Sequence, residues 1–287
     1  MSALLPQEIE PPTPEAEKLT RRMVLPILPQ LMAYLADLRA QLDEELQPNF
    51  PVNPAKPYPL GRCEEITRAA LIVLARRLRR PAHSVEHALA SFQRQGGRIR
   101  SIWGALRGTY FQNALQIGSL YADVANDTVV ITKPKVEILP ITDCGLVPIR
   151  DIDHFIEIAG KYWGAEIFPN LVVPDLAPLF PMISRIPGQS ARLQMGCDYM
   201  IDLFRRDAFR GPEAFLAAAA PPPPDLAEEL RGLCPDTLQT VTSDTAALDL
   251  GRDRAVAACR RAREGGAARD EAWRDRMVMD MLSIRRL

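Results

Sequence analysis

Leu31, Leu35, Leu38, Leu42 and Leu46 recur every three or four residues, the spacing that lines one face of an amphipathic helix. Pro26 and Pro29 confine its start to about Pro29, because a proline ring is tolerated in a first helical turn and clashes further in. Prolines then punctuate residues 48–59, which read as a semi-rigid extended connector. A second apolar stripe, Ile66, Ala70, Val73 and Leu74, follows the opening Gly61-Arg62-Cys63-Glu64-Glu65. Its acids fall in the first turn and Arg76, Arg77, Arg79 and Arg80 in the last, as the helix dipole favours. Pro81 ends that helix, and a shorter one from about Ser84 to Gln95 stops at Gly96-Gly97.

The period then changes from helical to alternating. Residues 98–106, 110–117, 120–124, 128–132 and 136–139 are short runs rich in β-branched and aromatic side chains. Gly118-Ser119, Asn126-Asp127 and Lys133-Pro134 separate them as turn signals. The expected element is an antiparallel meander of four or five strands. Helical spacing returns over 151–163 (Ile152, Phe155, Ile156, Ala159), over 192–209 and over 213–219. Residues 169–187 are apolar and proline-punctuated, as in a loop packed on a domain. A last helix over 270–285 carries the stripe Trp273, Met277, Met281, Ile284. The fold class is therefore α+β, an antiparallel meander packed with helices. Residues 1–14, rich in Pro and Glu, are expected to be disordered. Residues 15–220 form one domain, and the proline run 221–224 breaks it from a loosely attached Arg/Ala-rich helical region over 221–287.

Composition narrows the function classes. The chain has 287 residues, and Lys+Arg 35 against Asp+Glu 36 leaves a formal net charge of -1. That balance disfavours a broad nucleic-acid or anionic-membrane partner. Pro or charged residues interrupt every apolar run, so no bilayer span is expected, and residues 1–14 lack the basic start of a secretion signal. Cys63, Cys144, Cys197, Cys234 and Cys259 are scattered, which fits reduced thiols in a cytoplasm and gives no zinc ribbon.

Cys63 opens a helix, where the N-terminal dipole favours thiolate and so a nucleophile, although Glu64 and Glu65 oppose that effect. The plainer role is a small buried residue in a first turn. Tyr58-Pro59-Leu60-Gly61-Arg62-Cys63 leads into this helix. Two strands follow, bearing Asn113-Ala114-Leu115-Gln116-Ile117-Gly118 and Leu120-Tyr121-Ala122-Asp123. This order resembles the papain-like and transglutaminase-like cysteine hydrolases over residues 58–127. The resemblance implies a core of that kind, Cys63 at the nucleophile position and Asp123 at the orienting position. The histidine position falls on Asn113, or on Gln112 if the register slips by one. An amide does not exchange protons near neutral pH, so the resemblance implies a degenerate triad and a fold kept as a binding surface.

Other constellations compete. His83-Ser84-Val85-Glu86-His87 has the spacing of inverted zinc peptidases, with Glu157 or Glu166 as a third ligand, but Ser84 as N-cap would leave His83 outside the helix. Arg76, Arg77, Arg79, Arg80, Arg94, Arg98, Arg100 and Arg107, with Trp103, Tyr110 and Phe111, could form a basic nucleic-acid surface; a solvated helix end explains them more simply. The terminal stripe is expected to dock on its own core. Residues 168–187 could line a groove or a homodimer contact. The expected function is a non-catalytic peptide- or protein-binding module, with no cofactor. One alternative is a thiol amidase, peptidase or acyltransferase using Cys63, with His87 or His154 as the missing base. The other is a zinc hydrolase using His83 and His87.

Overall fold

In the computed structural model, which describes residues 4–50, 53, 56–193 and 198–284, the predicted stripes become buried helix faces. Helix α1 (Pro14–Met23) starts where the hydroxyl of Thr13 accepts the Ala16 N–H at 3.2 Å. Helix α2 (Leu28–Leu46) buries Leu31, Leu35, Leu38 and Leu42, and α3 (Cys63–Arg79) buries Ile66, Ala70 and Leu74. Helix α4 (Ser84–Arg94) adds Val85, Leu89 and Phe92.

The strands are β1 (Ile99–Leu106), β2 (Tyr110–Ile117), β3 (Leu120–Asp123), β4 (Glu137–Pro140) and β5 (Leu146–Val147). They pair antiparallel in the order β4-β3-β2-β1-β5. Successive side chains on a strand point to opposite faces, so the sheet has two distinct sides. Leu115, Ile117, Leu120, Ala122 and Ile138 join the core made by α2, α3 and α4. On the other side Ile102, Leu106, Ala114 and Tyr121 pack with Ile141, Cys144 and Leu146, and Ile9 lies against them. Gly118 turns β2 into β3 at φ +60, and a side chain there would collide with Thr20 Oγ1. That hydroxyl accepts the Ser119 N–H at 3.1 Å, which ties α1 to the hairpin.

These elements make one compact unit, Met1–Pro148; a second is Ile149–Leu287. The second holds α5 (Ile152–Trp163), a three-stranded antiparallel sheet of β6 (Glu166–Pro169), β7 (Met182–Arg185) and β8 (Arg192–Leu193), then α6 (Asp198–Arg206) and α7 (Arg210–Ala218). It continues with α8 (Pro224–Leu233), α9 (Thr245–Glu264) and α10 (Glu271–Leu282). Residues 171–180 are the apolar centre of this unit. Asn170, fully buried, pins them by donating Nδ2 to Val173 O at 3.1 Å and Phe180 O at 2.9 Å and by accepting the Val173 N–H at 3.0 Å. Helix α9 lies so close that a side chain on Gly251 would collide with Leu171 O.

The α+β class and the antiparallel meander agree with the pattern of the chain. Several finer expectations differ. Residues 4–13 are held on the first unit by the contacts given below. Residues 128–132 form no strand: Asn126–Thr128 is a buried 3-10 turn, because Asp127 is drawn to the guanidinium of Arg39. The helix expected over 192–209 opens as strand β8 and turns helical at Asp198; Cys197 lies outside the described residues, as does Arg285. The compact units divide at residue 148, so residues 221–223 of the proline run join α7 to α8 inside the second unit, and Pro224 opens α8. Beyond it, Leu226, Leu230, Leu248, Ala255 and Cys259 are buried, and Glu213 of α7 accepts from Arg260 and Arg263 of α9 at 2.6 Å each. The C-terminal helices are thus structural parts of their unit.

Candidate functional site

Cys63 is the first residue of α3, preceded by Arg62 at a cap with no side-chain hydrogen bond. Its side chain is buried in the α2–α3–α4 core. Directly across from it on β2, Asn113 donates Nδ2 to the thiol at 3.6 Å. The rest of Asn113 is fixed as well: Oδ1 accepts Gln7 Nε2 at 3.2 Å, and its carbonyl accepts the Thr67 hydroxyl at 3.1 Å. Burial pushes the Cys63 thiol above its ordinary pKa; the Asn113 hydrogen bond opposes this, while Asp123 and Glu65 add to it. The dipole advantage of the helix start is outweighed, and the group is held as a thiol.

Asp123 belongs to the opposite side of the sheet. Asn113 and Gln112 are neighbours on β2 and therefore face opposite ways. Gln112 is the one that meets the acid, donating Nε2 to Asp123 Oδ2 at 2.8 Å and to Ala125 O at 3.2 Å. Tyr121 donates its hydroxyl to the same oxygen at 2.8 Å, and the Ala125 N–H reaches Oδ1 at 2.7 Å. Asp123 has no exposed surface, and burial pushes its pKa up to about 6 against the pull of these donors. Gln112 Oε1 is buried without a partner. The two halves of the expected triad thus form separate pairs, Cys63 with Asn113 and Asp123 with Gln112.

The histidines have local explanations. His83, and not Ser84, is the N-cap of α4: its Nδ1 accepts the Val85 N–H at 3.2 Å. Glu86 closes the capping box by accepting the His83 N–H at 3.1 Å and the Ala82 N–H at 2.8 Å, and its other oxygen accepts from Tyr34 OH at 2.8 Å. His87 is exposed one turn further on. Glu157 pairs with Lys161 and Glu166 with Arg185 in the second unit. Among the described residues no group of three or more His, Cys, Asp or Glu is placed to hold a metal ion. His154 is buried in that unit too, its Nδ1 accepting the Arg150 N–H at 3.3 Å.

The arginines divide into two sets. Arg76, Arg79 and Arg80 are exposed at the end of α3, where Arg77 donates to Gln41 and Tyr34. On the hairpin, Arg107 pairs with Glu137 at 2.8 Å and Arg98 with Glu10 at 2.7 Å. Trp103 and Phe111 stack on each other at 5.4 Å and are buried, so they offer no open ring for a nucleic-acid base. Met277, Met281 and Ile284 are buried and Trp273 packs edge-on against Phe209, so the terminal stripe serves its own unit. Residues 171–180, all buried except Asp175, likewise form core.

The feature that sequence reasoning missed is the strap of residues 4–13 across the hairpin. Leu5 is buried, and a turn closes when Leu5 O accepts the Glu8 N–H at 3.1 Å. Gln7, at φ 58, presents its carbonyl to the Trp103 N–H at 2.9 Å. Gln116 brackets the main chain of Glu10: Oε1 accepts its N–H at 3.0 Å and Nε2 donates to its carbonyl at 2.7 Å. Arg100 donates to Leu5 O at 3.4 Å. The available signal was the alternation of Leu5, Gln7 and Ile9 with Glu8 and Glu10, opposite in charge to Arg98 and Arg100. Beside the strap lies a pocket of about 570 Å³ bounded by Pro11, Leu19, Arg22, Phe92, Gln95 and Arg98.

No family model matches the chain, and neither a curated protein nor a solved structure matches it.

Proposed function

We propose that the first unit is a non-catalytic module that binds peptides or protein segments, built on a cysteine-hydrolase-like framework whose proton-transfer machinery is absent. The observation that carries this reading is the side-chain amide of Gln116 bracketing both polar groups of the Glu10 main chain. Two-point bonding of a backbone amide by a side-chain amide is recognition of peptide as peptide, independent of sequence. Trp103 and Arg100 add main-chain contacts at Gln7 and Leu5. The position that a hydrolase fills with a base is held here by Asn113, whose amide spans the thiol and the Gln7 side chain. An amide in that place serves as a hydrogen-bonding surface and has no proton to exchange at neutral pH.

The test pairs binding with turnover. The full chain is screened on an array of immobilised peptides, and fluorogenic amide and ester substrates are followed in parallel. Expected are peptide binding that Cys63→Ala leaves unchanged, no turnover, and slow alkylation of Cys63 in the folded chain. Turnover that disappears in Cys63→Ala would establish the thiol enzyme instead.

A further inference from the structure

We infer that the strap of residues 4–13 is an internal ligand, occupying a groove whose external ligand is a peptide segment carrying an acidic residue where Leu5 O now sits. This inference rests on the binding-module reading and names the ligand class and the regulation of that site.

The strap fits its place imperfectly, and the misfit points to the rival. Arg100 reaches Leu5 O only at 3.4 Å, and its Nη1 is buried with no hydrogen-bond partner. A guanidinium is a fork that matches a carboxylate with two parallel bonds. A neutral carbonyl satisfies one prong and leaves the other desolvated, a costly arrangement for a charged donor. An Asp, a Glu or a terminal carboxylate at this point would engage both nitrogens. Arg98 extends the same charge preference along the hairpin, where it already holds Glu10.

The strap also carries strain that a separate peptide need not bear. Gln7 sits in the left-handed region at φ 58, which a residue with a side chain occupies at a cost. Its anchors include buried Leu5, Ile9 against the Ile102–Ala114–Tyr121 side of the sheet, the Gln7–Asn113 side-chain hydrogen bond, the Arg98–Glu10 pair and the main-chain contacts named above. Pro11 and Pro12 lead from the strap into α1, whose own anchor to the hairpin is Thr20. Release of residues 4–10 therefore leaves α1 attached, and the strap returns when the rival leaves. An acidic peptide binds by exchange, and its apparent affinity is reduced by the fraction of time the strap is seated.

The probes are two fluorescent synthetic peptides, one with the sequence of residues 4–13 and one in which Glu replaces the residue matching exposed Pro6, next to the Leu5 carbonyl, so that the buried Leu5 anchor is kept. Each is titrated into the full chain, into Ile9→Asp/Glu10→Lys, which loosens the strap, and into the same variant carrying Arg100→Ala. Thermal melts verify folding, and Ile9→Ala serves as the milder loosened variant if the double change fails to fold. Expected is about tenfold or greater tightening in the loosened variant, a preference for the Glu peptide, and loss of that preference with Arg100→Ala. Equal affinity of the probes for the wild-type and loosened chains overturns the strap inference. If array peptides still bind in that case, the binding module stands. Absence of all peptide binding, to the loosened chain as well, overturns both.

Discussion

A carboxyl group with no exposed surface that accepts three hydrogen bonds is pulled in two directions. Desolvation favours the neutral form of Asp123, and the donors Gln112, Tyr121 and Ala125 favour the charged one. Burial prevails, with the pKa pushed up to about 6. A carboxyl raised on folding binds its proton more tightly in the native state. Its contribution to stability is full below about pH 4 and is lost as the pH rises through 6. Asp123→Asn stays neutral throughout, so its stability relative to wild type should rise by about 2 kcal/mol between pH 4 and pH 7.5. Urea unfolding at the two pH values measures this, and a flat difference would refute it. At this scale the sequence was half legible. The alternation of β2 already sets Gln112 and Asn113 on opposite sides, but which of them meets Cys63 depends on where α3 packs.

Helices, strands and turns are joined here by a few polar clamps, and Arg39 is the chief one. It is fully buried on α2, where it donates to Asp127 Oδ1 at 2.7 Å and Oδ2 at 3.2 Å, to Val124 O at 2.8 Å and to Asp43 at 2.7 Å. Removing one member of a buried pair strands the other charge, so Arg39→Met should cost about 3–5 kcal/mol. Arg39→Met/Asp127→Leu should cost less than the Arg39 change alone. Equilibrium denaturation of the three variants tests the pairing; additive losses would count against it. The same clamp explains why residues 128–132 look like a strand and are not one: a partner 88 positions away in the chain holds the turn. Strands β1 and β2, by contrast, pair with each other across a short loop, and alternation alone delimits them. Helix α9 went unread because its buried face is made of small residues, Gly251, Ala255, Ala258 and Ala262, which leave no stripe of large apolar side chains. The strap went unread because proline and glutamate suggest disorder unless the partner arginines are considered with them.

At the scale of the whole chain, the division at residue 148 reassigns residues 221–287. Helix α9 covers the apolar residues 171–180, with Gly251 against Leu171 O and the Val241 N–H on Val172 O at 2.9 Å. A chain ending at residue 220 should therefore lose the cooperative unfolding of its second unit and bind anilinonaphthalene sulfonate. Calorimetry with dye fluorescence reads this out, and an intact second transition without dye binding would show the last three helices to be dispensable. Composition could not reveal this, since the Arg/Ala-rich region owes its order to a loop in the middle of the chain.

The ion pair between Arg98 and Glu10 is largely exposed, with Arg98 at 61% and Glu10 at 29%. Exposed pairs are screened by dissolved salt, and buried ones far less. Ionic strength thus loosens the strap without disturbing the Arg39 clamp. An acidic segment that displaces the strap leans on the same arginines, so salt weakens occupant and rival together. Exchange between them should change little with salt, whereas an acidic peptide entering an already vacated groove should bind more weakly as salt is added.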